Sequence, residues 1–192
     1  MQARLAATDL ACRRGDRLLF RGFSVDLAAG EALHVTGANG IGKSSLLRIL
    51  AGLLRPFAGS VERHGTVGLM DERLALDEIA PLGTALGFWA GLDGADNAQA
   101  FERLSLTDLL DVPVRYLSTG QRKRAAMARL LGAKAAIWLL DEPLNGLDDE
   151  ARTTVQELAA SHCTNGGICV AASHQPFDFP AKRVLALRDY AA

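Results

Sequence analysis

The feature that most constrains this sequence is the run Gly37-Ala38-Asn39-Gly40-Ile41-Gly42-Lys43-Ser44, which fits the pattern Gly-x4-Gly-Lys-Ser. It follows a short apolar stretch at 32–36 and precedes residues 44–53, whose leucines and isoleucine recur at helical spacing. Strand, glycine-rich turn and helix in this order predict the opening of a βαβ unit that binds phosphate. An ordinary glycine-rich turn is the alternative, but chance produces this pattern in only about one chain in a hundred of this length.

The same run predicts how a nucleotide is held. Glycines permit unusual backbone angles, so successive N–H groups can point at phosphate oxygens at the positive end of the helix. We expect Lys43 to reach the β- and γ-phosphates and the Ser44 hydroxyl to bind Mg²⁺. The predicted binding set comprises Gly37, Ala38, Asn39, Gly40, Ile41, Gly42, Lys43, Ser44 and the following Ser45.

A second motif, Leu139-Leu140-Asp141-Glu142, ends an apolar stretch with two carboxylates. At the C-terminal end of a strand, Asp141 can hold the Mg²⁺ shell, and Glu142 can polarise the water that attacks the γ-phosphate in line. Without the phosphate loop, two acids capping the helix after Pro143 would be the preferred interpretation. Together the two motifs favour nucleotide hydrolysis, with Glu142 as a catalytic residue and with Ser44 and Asp141 as metal ligands.

The distribution of apolar residues predicts an α/β fold of the P-loop NTPase type, in a single domain that spans residues 1–192. Apolar and polar residues alternate over the first thirty positions, which predicts a small N-terminal antiparallel β subdomain. Continuous apolar runs at 136–140 and 168–172 are separated by helical patterns, which predicts a parallel sheet covered on both faces. Residues 72–120 lack β-branched runs and are rich in alanine and leucine, so we expect an inserted α-helical subdomain there.

Composition argues against several other classes of function. A formal net charge of −1 gives no reason to expect nucleic acid as a partner. Cys12, Cys163 and Cys169 lack the spacing of a metal site, so we interpret them as reduced, mostly buried thiols. The N-terminal residues lack the apolar core of a secretory signal, and no apolar run approaches the ~20 residues that span a bilayer. Membrane association is therefore expected to depend on a partner.

Between the two motifs lies Leu117-Ser118-Thr119-Gly120-Gln121, which resembles the Leu-Ser-Gly-Gly-Gln hallmark of the ATP-binding cassette (ABC) family. By itself, Ser-Thr-Gly-Gln is an ordinary helix N-cap. The resemblance implies an ABC ATPase domain that binds ATP with Mg²⁺ and forms a head-to-tail dimer with a second copy of itself. Ser118, Gly120 and Gln121 of one copy would then contact ATP held by the phosphate loop of the other. Thr119 replaces the usual second glycine.

Two further segments strengthen the resemblance to the ABC family, and two depart from it. Asn145-Gly146-Leu147-Asp148 is similar to the loop through which the two family subunits communicate. His174 is similar to the histidine that contacts the γ-phosphate, which makes it the second candidate catalytic residue. In contrast, Met70-Asp71-Glu72-Arg73 stands where the family has a glutamine. Cys12-Arg13-Arg14 stands where the family stacks an aromatic residue on adenine, so an arginine plane is the candidate for that contact.

Within the ABC family, the chain most resembles the haem exporter ATP-binding subfamily, the short ATPase subunits of the cytochrome c maturation system. Residues 15–20, 44–53 and 138–148 carry this resemblance. It implies a peripheral position on the cytoplasmic face of the inner membrane, an integral membrane permease partner that is CcmB-like, and hydrolysis linked to release of a haem-loaded chaperone. An ATPase of an unrelated small-molecule exporter, and a soluble ABC protein that acts on nucleic acid or ribosomes, are the alternatives.

The expected helical insertion carries Leu86, Phe88 and Trp89. The resemblance implies a groove here that receives a cytoplasmic helix of the permease. Filling the core of the helical subdomain is an equally good interpretation of Trp89.

Overall fold

The computed structural model describes residues 2–96, 98–179 and 182–191. The strands in these ranges are β1 (Arg4–Arg14), β2 (Arg17–Ala28), β3 (Ala32–Thr36), β4 (Ala58–His64), β5 (Val67–Met70), β6 (Ile137–Asp141), β7 (Ile168–Ala172) and β8 (Lys182–Ala186). The helices are α1 (Lys43–Ala51), α2 (Leu82–Asp93), α3 (Ala98–Arg103), α4 (Thr119–Gly132) and α5 (Asp149–Thr164). Short 3-10 turns lie at Thr107–Leu109, Val114–Tyr116 and Leu187–Tyr190.

A parallel sheet with the strand order β5-β6-β7-β3-β8 forms the centre of the protein. β6 and β7 are buried along their whole length because both faces of the sheet are covered. Ile137 and Leu139 of β6 face a core shared with β1, β2 and α1, whereas Trp138 and Leu140 face a core shared with α2, α4 and α5. The predicted α/β fold is confirmed, although β6 begins and ends one residue later than the predicted 136–140.

The second sheet is antiparallel and has the order β2-β1-β4. β1 and β2 form the hairpin that the alternating pattern predicts, with Arg14 opposite Arg17 across the turn. β4 has no counterpart in the sequence prediction, because most of its side chains are exposed and the strand lacks apolar alternation. A Cβ on Gly59 would collide with the carbonyl oxygen of Thr8, so only glycine fits where β4 meets β1.

Helix α1 begins at Lys43, one residue before the predicted start at 44, and ends at Ala51, two residues before the predicted end at 53. It ends at Ala51 because Gly52 adopts a left-handed φ of 81° and donates its N–H to the carbonyl oxygens of Arg48 and Ile49. Leu53 is consequently exposed, while the other predicted apolar residues of the helix are buried under the antiparallel sheet.

Helices α2 and α3 and two 3-10 turns lie between β5 and α4, in the region where the sequence predicts an inserted helical segment. α2 buries Leu82, Ala85 and Leu86 and packs with α4 in the same core. None of the helices in the described part of the chain has the length and apolar character needed to cross a lipid bilayer.

Candidate nucleotide-binding site

The loop between β3 and α1 has the backbone conformation of an anion-binding turn. Gly40 and Gly42 adopt φ angles of 78° and 117°, which glycine tolerates best. Gly42 is the N-cap of α1, and within the described residues no side chain caps this helix start and no acid lies in its first turn. The backbone N–H groups there are therefore available to phosphate oxygens, at the end of the helix where its dipole is positive.

A cavity of about 350 Å³ lies over this loop. The loop contributes Asn39, Gly40, Gly42, Lys43, Ser44 and Ser45 to its lining, and the facing side contributes Leu19, Glu72, Glu142 and Asn145. Ile41 packs beside Gly37, where a Cβ would lie 3.0 Å from Cγ2 of Ile41. The carbonyl groups of Gly37 and Ala38 accept hydrogen bonds from Lys43. Six of the nine predicted residues thus line the cavity. The other three, Gly37, Ala38 and Ile41, contact residues of the loop itself.

Lys43 joins the phosphate loop to the end of β6. Its Nζ donates to the carbonyl oxygens of Gly37 (2.7 Å) and Ala38 (3.3 Å), and its side chain is only 6% exposed. The same Nζ lies 3.4 Å from Oε1 of Glu142, which is an ion pair without a hydrogen bond. A single ammonium group therefore contacts both of the segments that the two sequence motifs identify.

Glu142 stands between Lys43 and His174. Nδ1 of His174 lies 2.9 Å from Oε2 of Glu142. β6 and β7 pair in parallel with Asp141 opposite Ala172, so the two side chains emerge at the same end of the sheet. Glu142 has a φ of 44°, a left-handed value that costs a non-glycine residue about 1–2 kcal/mol. The two candidate catalytic residues are thus neighbours, and one of them is held in an unfavourable backbone conformation.

Asp141 is the buried carboxylate at the end of β6. Burial raises the pKa of its carboxyl above the usual value, and a hydrogen bond with Ser44 opposes that shift. Among the described residues, its Oδ1 has no hydrogen-bond partner. A carboxylate oxygen and a hydroxyl form the kind of oxygen donor set that Mg²⁺ prefers, so the residues fit this ion. Because no group of three or more His, Cys, Asp or Glu forms a metal cage within the described ranges, phosphate and water would supply the remaining ligands.

The motif at 117–121 forms the start of α4. The N–H of Gln121 donates to Oγ of Ser118 (3.2 Å), and the N–H of Ser118 donates to Oε1 of Gln121 (2.8 Å), which is a capping box. Ser118, Gly120 and Gln121 are not among the described residues that line the cavity over the phosphate loop. Gly120 packs instead on the loop after Glu142, because a Cβ there would lie 2.5 Å from the carbonyl oxygen of Gly146.

Lys123, in the second turn of α4, is a buried lysine that none of the sequence motifs identifies. Its side chain is 8% exposed, and its Nζ donates to the backbone carbonyl oxygen of Asp141 (3.0 Å). Burial lowers the pKa of this ammonium group, while the negative charges of Asp141 and Glu72 oppose the shift. Lys123 precedes the buried Met127 by four residues and therefore lies on the apolar face of the helix. That spacing is the signal in the sequence that marks it as a buried lysine.

The two departures from the ABC pattern have structural counterparts. Glu72 lines the cavity on the side facing the loop, so a carboxylate stands where the family has a glutamine. The guanidinium of Arg13 lies 4.7 Å from the ring centre of Phe57 and is engaged there. Among the described residues that line the cavity, Leu19 offers an apolar side chain to a nucleotide base, and no arginine does.

The fold and the site together define a P-loop ATPase domain of the ABC class. The family model described as ABC transporter matches residues 20–145. The solved structure of an ABC transporter ATP-binding protein from Pyrococcus furiosus superimposes with a TM-score of 0.84, over 98% of this chain and 100% of that chain. Its sequence identity is 22%, so this comparison shows the shared fold.

Several curated relatives carry the name cytochrome c biogenesis ATP-binding export protein CcmA, among them proteins from Novosphingobium aromaticivorans and Zymomonas mobilis. The relative from Novosphingobium aromaticivorans is 61% identical over 186 residues, which cover 97% of this chain and 96% of the relative. The relative from Zymomonas mobilis is 53% identical over 192 residues, which cover 99% of this chain and 87% of the relative. The chain therefore belongs to the CcmA family of ABC transporter ATP-binding proteins, and it is an ABC-type ATPase. The predicted family is confirmed, whereas the roles of the individual site residues stay predictions.

Proposed function

We propose that this chain is the ATP-hydrolysing subunit of a membrane ABC transporter complex that energises haem handling and release of the haem chaperone in c-type cytochrome biogenesis. The observation that carries the ATPase part is the position of Glu142, which lines the cavity over the phosphate loop together with Lys43 and contacts both Lys43 and His174. The names of the relatives, which specify cytochrome c biogenesis and export, support the cellular part.

In this proposal the phosphates of ATP lie along the loop and accept hydrogen bonds from the backbone at the start of α1 and from Nζ of Lys43. Glu142 accepts a hydrogen bond from the attacking water, and His174 holds the carboxylate through Oε2. The water oxygen bonds to the γ-phosphorus and gives up a proton to Glu142 as the bond to the β–γ bridging oxygen breaks, which gives ADP and phosphate. Mg²⁺ held by Ser44 and Asp141 would neutralise charge on the phosphates.

A head-to-tail dimer is the second part of the proposal. The Oγ atom of Ser118 accepts a hydrogen bond from Gln121, which leaves its O–H free to donate to a phosphate. Ser118 is exposed at a helix start, where the dipole favours an anion. These features support a contact of Ser118, Gly120 and Gln121 with ATP bound to a second copy. Each hydrolysis site would then be complete only in the dimer.

A CcmB-like integral membrane permease is the partner that we propose for the helical region. A groove of about 550 Å³ is lined there by Leu74, Ala75, Leu76, Asp77, Ala80, Thr84, Ala85, Phe88 and Trp89. Phe88 is 63% exposed, so its ring is available to contact the membrane permease. Trp89 packs against the core and donates its Nε1–H to the carbonyl oxygen of Ala75, which favours a structural role as well. In this assembly a single domain, 1–192, with its helical insertion at 72–120, lies peripherally on the cytoplasmic face of the inner membrane.

The test is affinity isolation of the chain from native membranes, identification of the bound integral subunit, and an assay of Mg²⁺-dependent ATP hydrolysis. We expect a component of c-type cytochrome maturation to co-purify and Lys43→Ala to abolish both hydrolysis and cellular c-type cytochromes. Lys134→Met, which removes an exposed lysine outside the cavity lining, is the control. A permease of another transport system would refute the haem assignment alone. Undiminished hydrolysis by Lys43→Ala would refute the site.

A further inference from the structure

Lys123 is a buried charged residue that takes no part in the hydrolysis described above. It lies between α4 and the end of β6, where Glu72, Thr119 and Glu142 line the same cavity of about 360 Å³. Taking an ammonium group out of water is costly, and methionine or leucine would fill the same space without that cost. The hydrogen bond from Nζ to the carbonyl oxygen of Asp141 is the contact that an apolar residue would lose.

That hydrogen bond holds one side of the peptide unit that joins Asp141 to Glu142. On the other side, the N–H of Glu142 donates to the carbonyl oxygen of Ala172 (2.8 Å). Because a peptide unit is planar, fixing both its C=O and its N–H fixes the plane and the direction in which the Glu142 backbone begins. Glu142 has a left-handed φ, and a non-glycine residue stays in that region only where its surroundings hold it. Lys123 supplies one of these two hydrogen bonds to the Asp141–Glu142 peptide unit.

The start of α4 contacts the same loop at a second point. A Cβ on Gly120 would lie 2.5 Å from the carbonyl oxygen of Gly146, and a Cβ on Gly146 would lie 3.1 Å from Cγ2 of Thr119. Lys123 follows Thr119 by four residues and so lies on the same face of the helix. A displacement of α4 therefore moves the loop after Glu142 and the Asp141 carbonyl together.

We propose that Lys123 is a positioning residue for ATP hydrolysis, whose ammonium group holds the Asp141–Glu142 peptide unit and thereby aims the Glu142 carboxylate at the attacking water. The inference rests on the proposed function, since it concerns the same reaction. It also links the helix start that contains Ser118 to the catalytic carboxylate. ATP bound to a second copy would then affect the position of Glu142 through α4 and Lys123.

The experiment compares three variants of the chain, purified with its membrane subunit. Lys123→Met keeps the length of the side chain and removes the donor, Lys123→Arg restores donors, and Lys134→Met is the control for loss of a lysine charge. We expect kcat for ATP to fall on the order of 100-fold in Lys123→Met. We expect ATP affinity, measured by calorimetry, to stay within about twofold of the wild type. Lys123→Arg should recover most of the lost kcat, and Lys134→Met should behave as the wild type.

The sharper measurement combines Lys123→Met with Glu142→Gln. If Lys123 acts through Glu142, the double variant hydrolyses ATP no more slowly than Glu142→Gln alone. Turnover is expressed per nucleotide-binding site, so that any loss of folded protein does not enter the comparison. A further decrease in the double variant, a wild-type kcat in Lys123→Met, or equal losses of kcat and affinity would each overturn the inference. Absence of turnover in the wild-type complex would instead refute the proposed function.

Discussion

A methyl group added at Gly120 tests the close contact between α4 and the loop after Glu142. In Gly120→Ala, the new Cβ would lie 2.5 Å from the carbonyl oxygen of Gly146. Carbon atoms rarely approach a carbonyl oxygen closer than about 3.3 Å, so the helix and the loop must separate by about 0.8 Å. Because the obstructing atom belongs to the backbone, it cannot rotate away as a side chain would. Overpacking of this kind costs about 1–3 kcal/mol.

Gly87→Ala in α2 is the matched control, since a Cβ there meets nothing within 4 Å. Alanine at an open helical position stabilises a protein by about 0.5–1 kcal/mol relative to glycine. We expect Gly87→Ala to raise the free energy of unfolding by that amount. With the same helical gain subtracted, Gly120→Ala should lower it by about 0.5–2 kcal/mol. For a chain of 192 residues, that loss corresponds to a decrease in Tm of about 1–8 °C.

Urea unfolding without nucleotide measures the structural effect of Gly120→Ala, and ATP turnover measures the functional effect. A shift of nearly 1 Å in the loop after Glu142 should lower turnover on the order of 100-fold. The affinity of the phosphate loop for ATP should remain in the monomer, because the substitution leaves that loop untouched. An unchanged free energy of unfolding would refute the reasoning from close contact. If turnover nevertheless fell, Gly120 would act only through nucleotide held by a second copy.

Three further predictions concern the carboxylate, the groove and the pH dependence of stability. Glu142→Gln should bind ATP normally in calorimetry and release phosphate about 100-fold more slowly or worse, and normal release would contradict its assigned role. Phe88→Ala should keep the Tm and weaken co-purification of the membrane subunit, whereas Trp89→Ala should lower the Tm because its indole packs against the core. Burial lowers the pKa of His34 and His162, so the unfolded chain takes up their protons first and stability decreases as pH falls through about 6.5. Each histidine contributes a slope of up to about 1.4 kcal/mol per pH unit. His162→Phe should reduce the slope in urea unfolding between about pH 7.5 and 5.5, and an equal slope would rule this cause out.

Much of the candidate site could be predicted because local backbone chemistry and the fold class decide it. The run at 37–44 depends on angles that glycine adopts within a few residues, and the β1–β2 hairpin depends on a turn at Gly15. Glu142 and His174 follow neighbouring parallel strands, and strands of such a sheet end at the same edge. The meeting of these side chains with Lys43 therefore follows from topology once the parallel sheet is recognised.

Contacts between distant segments could not be predicted. The position of β4 depends on the free edge of β1, and its exposed side chains carry no periodic signal. The contact of Lys123 with Asp141 depends on how α4 crosses the end of β6. Arg13 contacts Phe57, a residue that follows α1 in the sequence. It therefore does not line the cavity, as the predicted stacking on a nucleotide base would require. Such contacts result from packing of whole elements, which hydrophobic patterning does not encode.

The register between β6 and β7 has a consequence for how the activity can be controlled. Five consecutive residues of β6 pair with five of β7, from Ile137 with Ile168 to Asp141 with Ala172. Shifting the end of β6 relative to the end of β7 would require one buried strand to slide past the other, which would expose a new set of side chains on each face. Ordinary thermal motion leaves that arrangement intact. Regulation of the activity must therefore act beyond the strand ends, through nucleotide, neighbouring subunits and the loops that carry Glu142 and His174, because the pairing of the two strands itself stays fixed.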